Sequence, residues 1–415
     1  MAEFELKKLR EKYEDFNSPL VSVEVEGKKI SREEHGVRVT DCEVELTSGY
    51  EAAIAEVSIV GAYNGDEFDI QKIKNVIAMG SSIRVSYGYG ASVREVFRGF
   101  IARVNFVIPK STYDMPYIKI TAMDIKGNMM ANRHSKRLNS KYFSDAVKEV
   151  IEANPFYDYK DEQQKNFTTL VIDNTPDKPE GSGDAGEGAG GGIPGAGAAG
   201  GGLPGGGGAG GGAEGEKADD VRVEMVEESD YEFIVKAAKK FNFEFFTVGG
   251  TLYFIKAKKN EDILMELTPG EVVRSLDVGY DITGLVGQVE VRNVDSDKGS
   301  FVGKTQKLNG KISIGNKAKP LITNQALVYI DPTAQDKESA GYRAEFLSSR
   351  ASYKLGNLQA NTIGLPELIP GRFVEIKGAG VPVNNTFYIT RVKHVLYKSE
   401  YTTEIEGCAK EIKTG

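Results

Sequence analysis

From Leu20 to Met123, apolar and polar residues alternate. Val21, Val23 and Val25 are separated by polar positions, as are Val37 and Val39, then Cys42, Val44 and Leu46. A period of two places every second side chain on one face, so it predicts strands with one face buried. The pattern returns in stretches 55–60, 82–89, 93–107 and 117–122, and Gly27, Gly49, Asn64-Gly65, Gly80 and Gly90 punctuate the gaps. Short strands joined by such turns predict a barrel or a sandwich. One short helix is expected between Phe68 and Ile77. Upstream, Phe4, Leu6, Leu9, Tyr13 and Phe16 recur at helical spacing among many charges. They predict an amphipathic arm docked on a neighbour, ended by Pro19.

The middle of the chain is mixed. Ser144 to Ala153 predicts a helix with Ser144 or Asp145 as N-cap, and Leu170 to Asp173 a strand. Between Asp230 and Asn242, Tyr231, Phe233, Ile234, Ala237, Ala238 and Phe241 fall on one helical face. Ser229 and Glu232 have the spacing of a capping box. Phe243 to Val248 and Thr251 to Lys256 flank Gly249-Gly250 and predict a hairpin. Further on, Val286 to Asn293 reads as a strand. Asp331 to Lys354 reads as a long helix burying Ala334, Ala340, Ala344, Phe346 and Leu347. Strands follow at Phe373 to Lys377, Tyr388 to Val395 and Tyr401 to Ile405. Pro370-Gly371 reads as the centre of a type II turn, whose second position needs a positive φ.

Three stretches also carry a resemblance. Gly364 to Ile376 reads G-x-P-x-L-x-P-G-x-x-V-x-I, followed by F-Y-I-T-x-V-x-H from Phe387 and Y-T-T-E from Tyr401. Ser229 to Phe254 contains S-D-Y-E-F-I, A-x-K-F-N-F-E-F-F and G-G-T-L-Y-F. Phe97 to Ile101 carries F-x-G-x-I after the Y-G-Y of Tyr87 to Tyr89. Together they resemble the baseplate hub proteins of contractile tails and contractile injection systems: the phage late-control-D family and the hub part of VgrG spikes. The resemblance implies a mainly β fold, with two tube-like β-barrel domains flanking an α/β domain. The expected division is an N-terminal arm over 1–17, a first barrel over 18–125, an α/β domain over 126–265, and a second barrel with an inserted helix over 266–415. It implies a virion or particle component without enzymatic activity. This would be a homotrimer acting as tube–spike adaptor, joining a hexameric tail tube protein to a separate spike protein, with baseplate wedge proteins around it and cargo, DNA or effector, passing through the lumen. Assembly would occur in the bacterial cytoplasm, and the particle would be a phage tail, a tailocin or an extracellular injection system.

Composition narrows the alternatives. The 415 residues carry a net charge of −8, which argues against a general nucleic-acid binder and predicts an acidic or neutral lumen. No run of about twenty apolar residues occurs, so no membrane span is expected, and the charged N-terminus lacks a secretory apolar core. Cys42 and Cys408 are too few for a disulfide framework, and His35, His134 and His394 are isolated. No catalytic, cofactor-binding or metal residue is assigned. Glu33-Glu34, Asp219-Asp220 and Glu227-Glu228 are paired carboxylates of the kind that solvate a surface. Ser81-Ser82 and Ser348-Ser349 lack a nucleophile elbow, and His394 reads as a packed strand residue. Tyr87, Tyr89, Phe241, Phe243, Phe245 and Phe246 read as core on one face and interface on the other, rather than as a sugar platform. A spike-associated cell-wall-degrading enzyme and a tail-fibre or glycan-binding module are the alternatives.

Residues 181–215 hold 20 of the 48 glycines, including a tandem G-G-G-[I/L]-P-G. No Lys-Ser/Thr follows at phosphate-loop spacing, so a nucleotide site is not expected. The stretch departs from the resembling family. It reads as an insertion dispensable for folding and used in assembly or passage.

Overall fold

The alternation of the first hundred residues becomes strands β1 (Pro19–Val25), β2 (Lys28–Lys29), β3 (Arg38–Thr47), β4 (Ile54–Val60), β5 (Ser82–Tyr89), β6 (Ser92–Val107) and β7 (Tyr117–Met123). In β4, Ala55, Val57 and Ile59 are buried while the residues between them face outward. This is a computed structural model, and it describes residues 2–110, 115–155, 167–178, 222–294, 301–307, 317–332, 334 and 337–413. The glycine-rich stretch 181–215 and Asp219-Asp220 lie outside the described residues.

Helices α1 (Leu6–Lys12), α2 (Arg32–His35) and α3 (Ile70–Ile73) interrupt the first region. The middle contributes α4 (Ile125–Met129), β8 (His134–Arg137), α5 (Phe143–Glu152), β9 (Thr169–Ile172), β10 (Glu224–Glu228), α6 (Asp230–Phe241), β11 (Phe243–Val248) and β12 (Thr251–Lys256). The last part adds β13 (Ile263–Leu267), β14 (Val273–Tyr280), β15 (Gln288–Val294), β16 (Phe301–Lys307), α7 (Ala318–Thr323), β17 (Ala326–Ile330), α8 (Lys337–Ser352), β18 (Gly356–Ile363), β19 (Phe373–Ile376), β20 (Thr386–Tyr397) and β21 (Glu400–Ala409).

The chain is mainly β, as expected. A 13-stranded sheet takes strands from both ends of the chain, which meet along the antiparallel β3–β20 ladder. One hydrophobic cluster lies behind it, containing Val44, Val57, Val85 and Ile120 from the first region and Leu365, Val374, Val392 and Ile405 from the last. A second cluster joins α5, α6, β11 and β12 through Val147, Phe233, Phe245 and Phe254. The capping box at Ser229 and Glu232 forms, and β11 and β12 pair across the two glycines.

Three expectations are corrected. The arm docks on its own chain: Phe4 bridges to Met265, and Leu9 and Tyr13 are buried in the main cluster. Neither Ser144 nor Asp145 caps α5. It starts at Phe143, whose N–H donates to Asp177 Oδ2 at 3.0 Å, while the Ser144 N–H donates to Thr175 Oγ1 at 2.8 Å. The long helix starts at Lys337 because Asp331 is held outside it, its N–H donating to the Arg292 carbonyl and its carboxylate 3.0 Å from Arg343 Nε.

Candidate functional site

Eight strands follow one another as β14-β18-β21-β20-β3-β4-β7-β6, each antiparallel to the next. One face covers the core. Cross-strand pairing places Asp41, Glu43, Glu45, Glu56, Asp277, Glu404 and Glu406 on the other face, with Arg103, Lys119, Arg391 and Lys393. All of them are half-buried or exposed. Lys393 lies 2.8 Å from Glu43, Arg391 3.4 Å from Glu45, and Lys119 2.8 Å from Glu56. The hydrogen bond with Glu43 holds the Lys393 ammonium above its ordinary range. Acids outnumber bases on this face, so it keeps a negative surplus. Two open grooves cross it, of ≈ 1160 Å³ beside Glu43, Glu56 and Lys119 and ≈ 560 Å³ beside Asp277, Arg391 and Glu404.

The eight strands fall into two quartets with the same topology. In β3-β4-β7-β6 the spatial order is first, second, fourth, third along the chain, and β14-β18-β21-β20 repeats it. Their irregularities match. The first strand of each quartet shifts register once, between Val39 and Asp41 and between Val273 and Ser275. The third strand also shifts once against its quartet neighbour, between Ile101 and Arg103 and between Ile389 and Arg391. The sequences at that point are Ile101-Ala102-Arg103-Val104 and Ile389-Thr390-Arg391-Val392. β5 pairs the early part of β6, as β19 pairs the early part of β20. Beyond its shift, β20 pairs with β3. Beyond its own shift, β6 has no strand on the corresponding side among the described residues, and β14 has a ladder with β18 alone.

Behind the sheet, the segment Gly364 to Gly371 joins the parts of the chain. The Tyr89 O–H donates to the Gly364 carbonyl at 2.8 Å, and the Leu365 N–H donates to Thr403 Oγ1 at 2.9 Å. Glu367 is fully buried and accepts from the Tyr13 O–H at 2.7 Å and Lys12 Nζ at 2.9 Å. Burial holds the Tyr13 phenol well above its ordinary range, so it stays a donor. Gly371 has φ +82, as a type II turn requires, and lies against the Phe246 ring of β11. Two further buried acids tie the middle of the chain to its two ends. Asp124 accepts from Thr247 Oγ1 at 2.6 Å and from the Ala53 N–H at 3.1 Å, and Glu244 accepts from the Tyr388 O–H. Beside Asp124, Lys126 is buried with its Nζ 3.7 Å away, and desolvation lowers its pKa.

The candidates from sequence are dispersed. His394 is buried, with Nδ1 2.9 Å from Tyr401 Oη and 3.1 Å from Thr403 Oγ1, and its ring stacks on Tyr87. Burial pushes it down to about 3, so it is neutral. Tyr87 donates to the Cys42 carbonyl at 2.8 Å, and burial pushes the Cys42 thiol up to about 12. The Glu34 N–H donates to the capping Ser31 Oγ at the start of α2 and Glu228 pairs with Lys236, while Ser348 Oγ donates to the Glu345 carbonyl inside α8. Ser82 is buried in β5. Tyr89, Phe241, Phe243, Phe245 and Phe246 are buried too. All six positions of β11 are buried, so the interface expected on its second face is made within the chain. Among the described residues no group of three or more His, Cys, Asp or Glu could hold a metal, and no helix is long and apolar enough to cross a membrane. Sequence reasoning missed Glu367, Glu244 and Asp124 as joints. It also missed the quartet repeat, although the two Ile-x-Arg-Val stretches were its visible trace.

The fold has relatives among solved structures. A tail protein from Neisseria meningitidis MC58 matches with TM-score 0.61 at 11% identity, over 94% of this chain and 97% of that one. The 43 kDa tail protein of prophage MuSo2 from Shewanella oneidensis matches with TM-score 0.59 at 11% identity, over 93% and 97%. A type VI secretion system component of E. coli, described as structurally similar to the T4 bacteriophage tail proteins gp27 and gp5, matches with TM-score 0.50 at 9% identity, over 93% and 76%. The chain shares the fold of these tail and secretion-system proteins over nearly its whole length. No protein-family model matches the chain, and no curated protein matches it.

Proposed function

We propose that the chain is a structural component of a contractile tail or injection particle: a baseplate hub, present as three copies, that joins a six-fold tail tube to a three-fold spike. The observation that carries this reading is the quartet repeat with two open edges. Each chain supplies two equivalent four-stranded units, so three chains supply six, matching the number of subunits in a tube ring. The units run head to tail, and eight is even, so successive copies keep the antiparallel alternation. Heterologous contacts of this kind close into a ring when the rotation permits. The face with the acidic surplus would line the lumen and repel polyanionic cargo such as DNA. In this reading the regions 18–125 and 266–415 act as the two tube-like units, fused by the β3–β20 ladder. The shared fold of the Neisseria and Shewanella tail proteins supports it.

The test is electron cryomicroscopy of particles carrying a tagged copy of the chain. Label at a single layer between tube end and spike is the expected result. Label on fibres, or particles that contain none of the chain, would overturn the reading.

A further inference from the structure

Phe106 and Ile108 are large apolar side chains left 46% and 65% exposed at the end of β6. At the far edge of the eight-strand run, Leu276, Val278 and Tyr280 are apolar and only half-buried. Phe106 pairs across the sheet with the buried Ile118, and Val278 with the buried Leu358, so both edges expose the core side of the sheet. Arg103 on one edge has no ion pair among the described residues, and Asp277 and Asp281 lie on the other. Unpaired edges with apolar flanks template association with a further strand.

The internal repeat says which strand. Within the chain, the β20–β3 ladder sets Arg391 opposite Thr47, Lys393 opposite Glu45 and Val395 opposite Glu43. Aligning the matched register shifts places Arg103 at the position of Arg391 and Ser275 at that of Asp41. Val107 then corresponds to Val395, and Asp277 to Glu43.

We infer that residues 103–108 of one copy pair antiparallel with residues 276–281 of a second copy, in the register that β20 and β3 show. Arg103 then stands opposite Asp281, Asn105 opposite Gly279 and Val107 opposite Asp277. On the core side, Phe106 faces Val278 and Ile108 faces Leu276, so the apolar layer runs unbroken from one copy into the next. Arg103 meets an acid on the open face, and the exposed apolar residues are covered. This inference rests on the hub reading, and it adds the partner surface and the pairing.

The test is disulfide trapping in the full chain. Directly opposed residues of an antiparallel pair lie within disulfide reach. The purified variant carrying Val107→Cys and Asp277→Cys is oxidised with copper phenanthroline and run without reductant. Species of two and three linked chains are expected. Each single variant should stay unlinked, as should Phe106→Cys with Asp277→Cys, whose side chains face opposite sides of the sheet. Association by mass without linkage at 107 and 277, or linkage of the out-of-register pair as efficient as theirs, would overturn this pairing and leave the hub reading standing. A chain that stays monomeric by mass at every concentration and never links would overturn both. As a second measure, Ile108→Lys should weaken self-association at least tenfold with unchanged melting temperature, and unaltered association would contradict the inference.

Discussion

Three residues show how the interior holds the parts of the chain together, and each carries a prediction. Tyr13 and Lys12 tie the N-terminal arm to the buried Glu367. Removing a donor from a buried acceptor costs about 1–3 kcal/mol, so Tyr13→Phe should lower stability by that order in chemical denaturation and raise amide exchange in α1. Unchanged exchange in the arm would show that the contact anchors nothing. Gly371 combines φ +82 with a site where an added Cβ would meet Phe246 Cζ at 2.5 Å. Gly371→Val should therefore cost at least the ~1–3 kcal/mol of a strained backbone, seen as a clear fall in melting temperature. A variant melting like the parent would mean the turn relaxes freely. His394 sets a pH dependence. Unfolded, an imidazole titrates near about 6.5; folded, burial pushes His394 down to about 3. The unfolded chain binds the extra proton between these values, so the contribution is full above the unfolded value and is lost as pH falls toward the folded one. About 2 kcal/mol of it should be gone by about pH 5. His394→Gln should flatten stability between about pH 7 and 5 relative to the parent, and parallel curves would contradict this.

At the scale of elements, local signals were legible and long-range pairing was not. The alternation around Val21 to Val25 and Ala55 to Val60, the Ser229–Glu232 box and the Gly249-Gly250 turn each depend on neighbours within a few residues, and each forms as the sequence predicts. The cap of α5 was hidden because Thr175 and Asp177 come from beyond β9. The joining of the two ends into one sheet was hidden because Val44 and His394, 350 positions apart, face each other only once both regions fold. Aromatic clusters such as Phe243 to Phe246 announced burial but not what covers it, which proved to be Tyr388 and the Gly371 turn. The acid surplus of the open face was partly legible in the net charge, but its concentration there required the register. The α5 cap gives a prediction at this scale. Thr175→Val keeps the shape and removes the acceptor for the Ser144 N–H, and should cost about 1 kcal/mol. Unchanged stability would mean that water replaces the cap.

For the whole molecule, the proposed hub reading joins the repeated quartets through their open edges into a closed ring of several copies with the acidic face inward. A mapped potential of the assembled layer should then show a neutral or negative lining, and a continuous basic lining would contradict that arrangement. Copy number decides whether the chain is such a hub, because two four-stranded units per chain match a six-fold tube only at three copies. It can be measured by native mass spectrometry of the isolated assembly or from the symmetry of the layer in a reconstruction. Three copies per layer are expected. A monomer, or six copies in that layer, would contradict it.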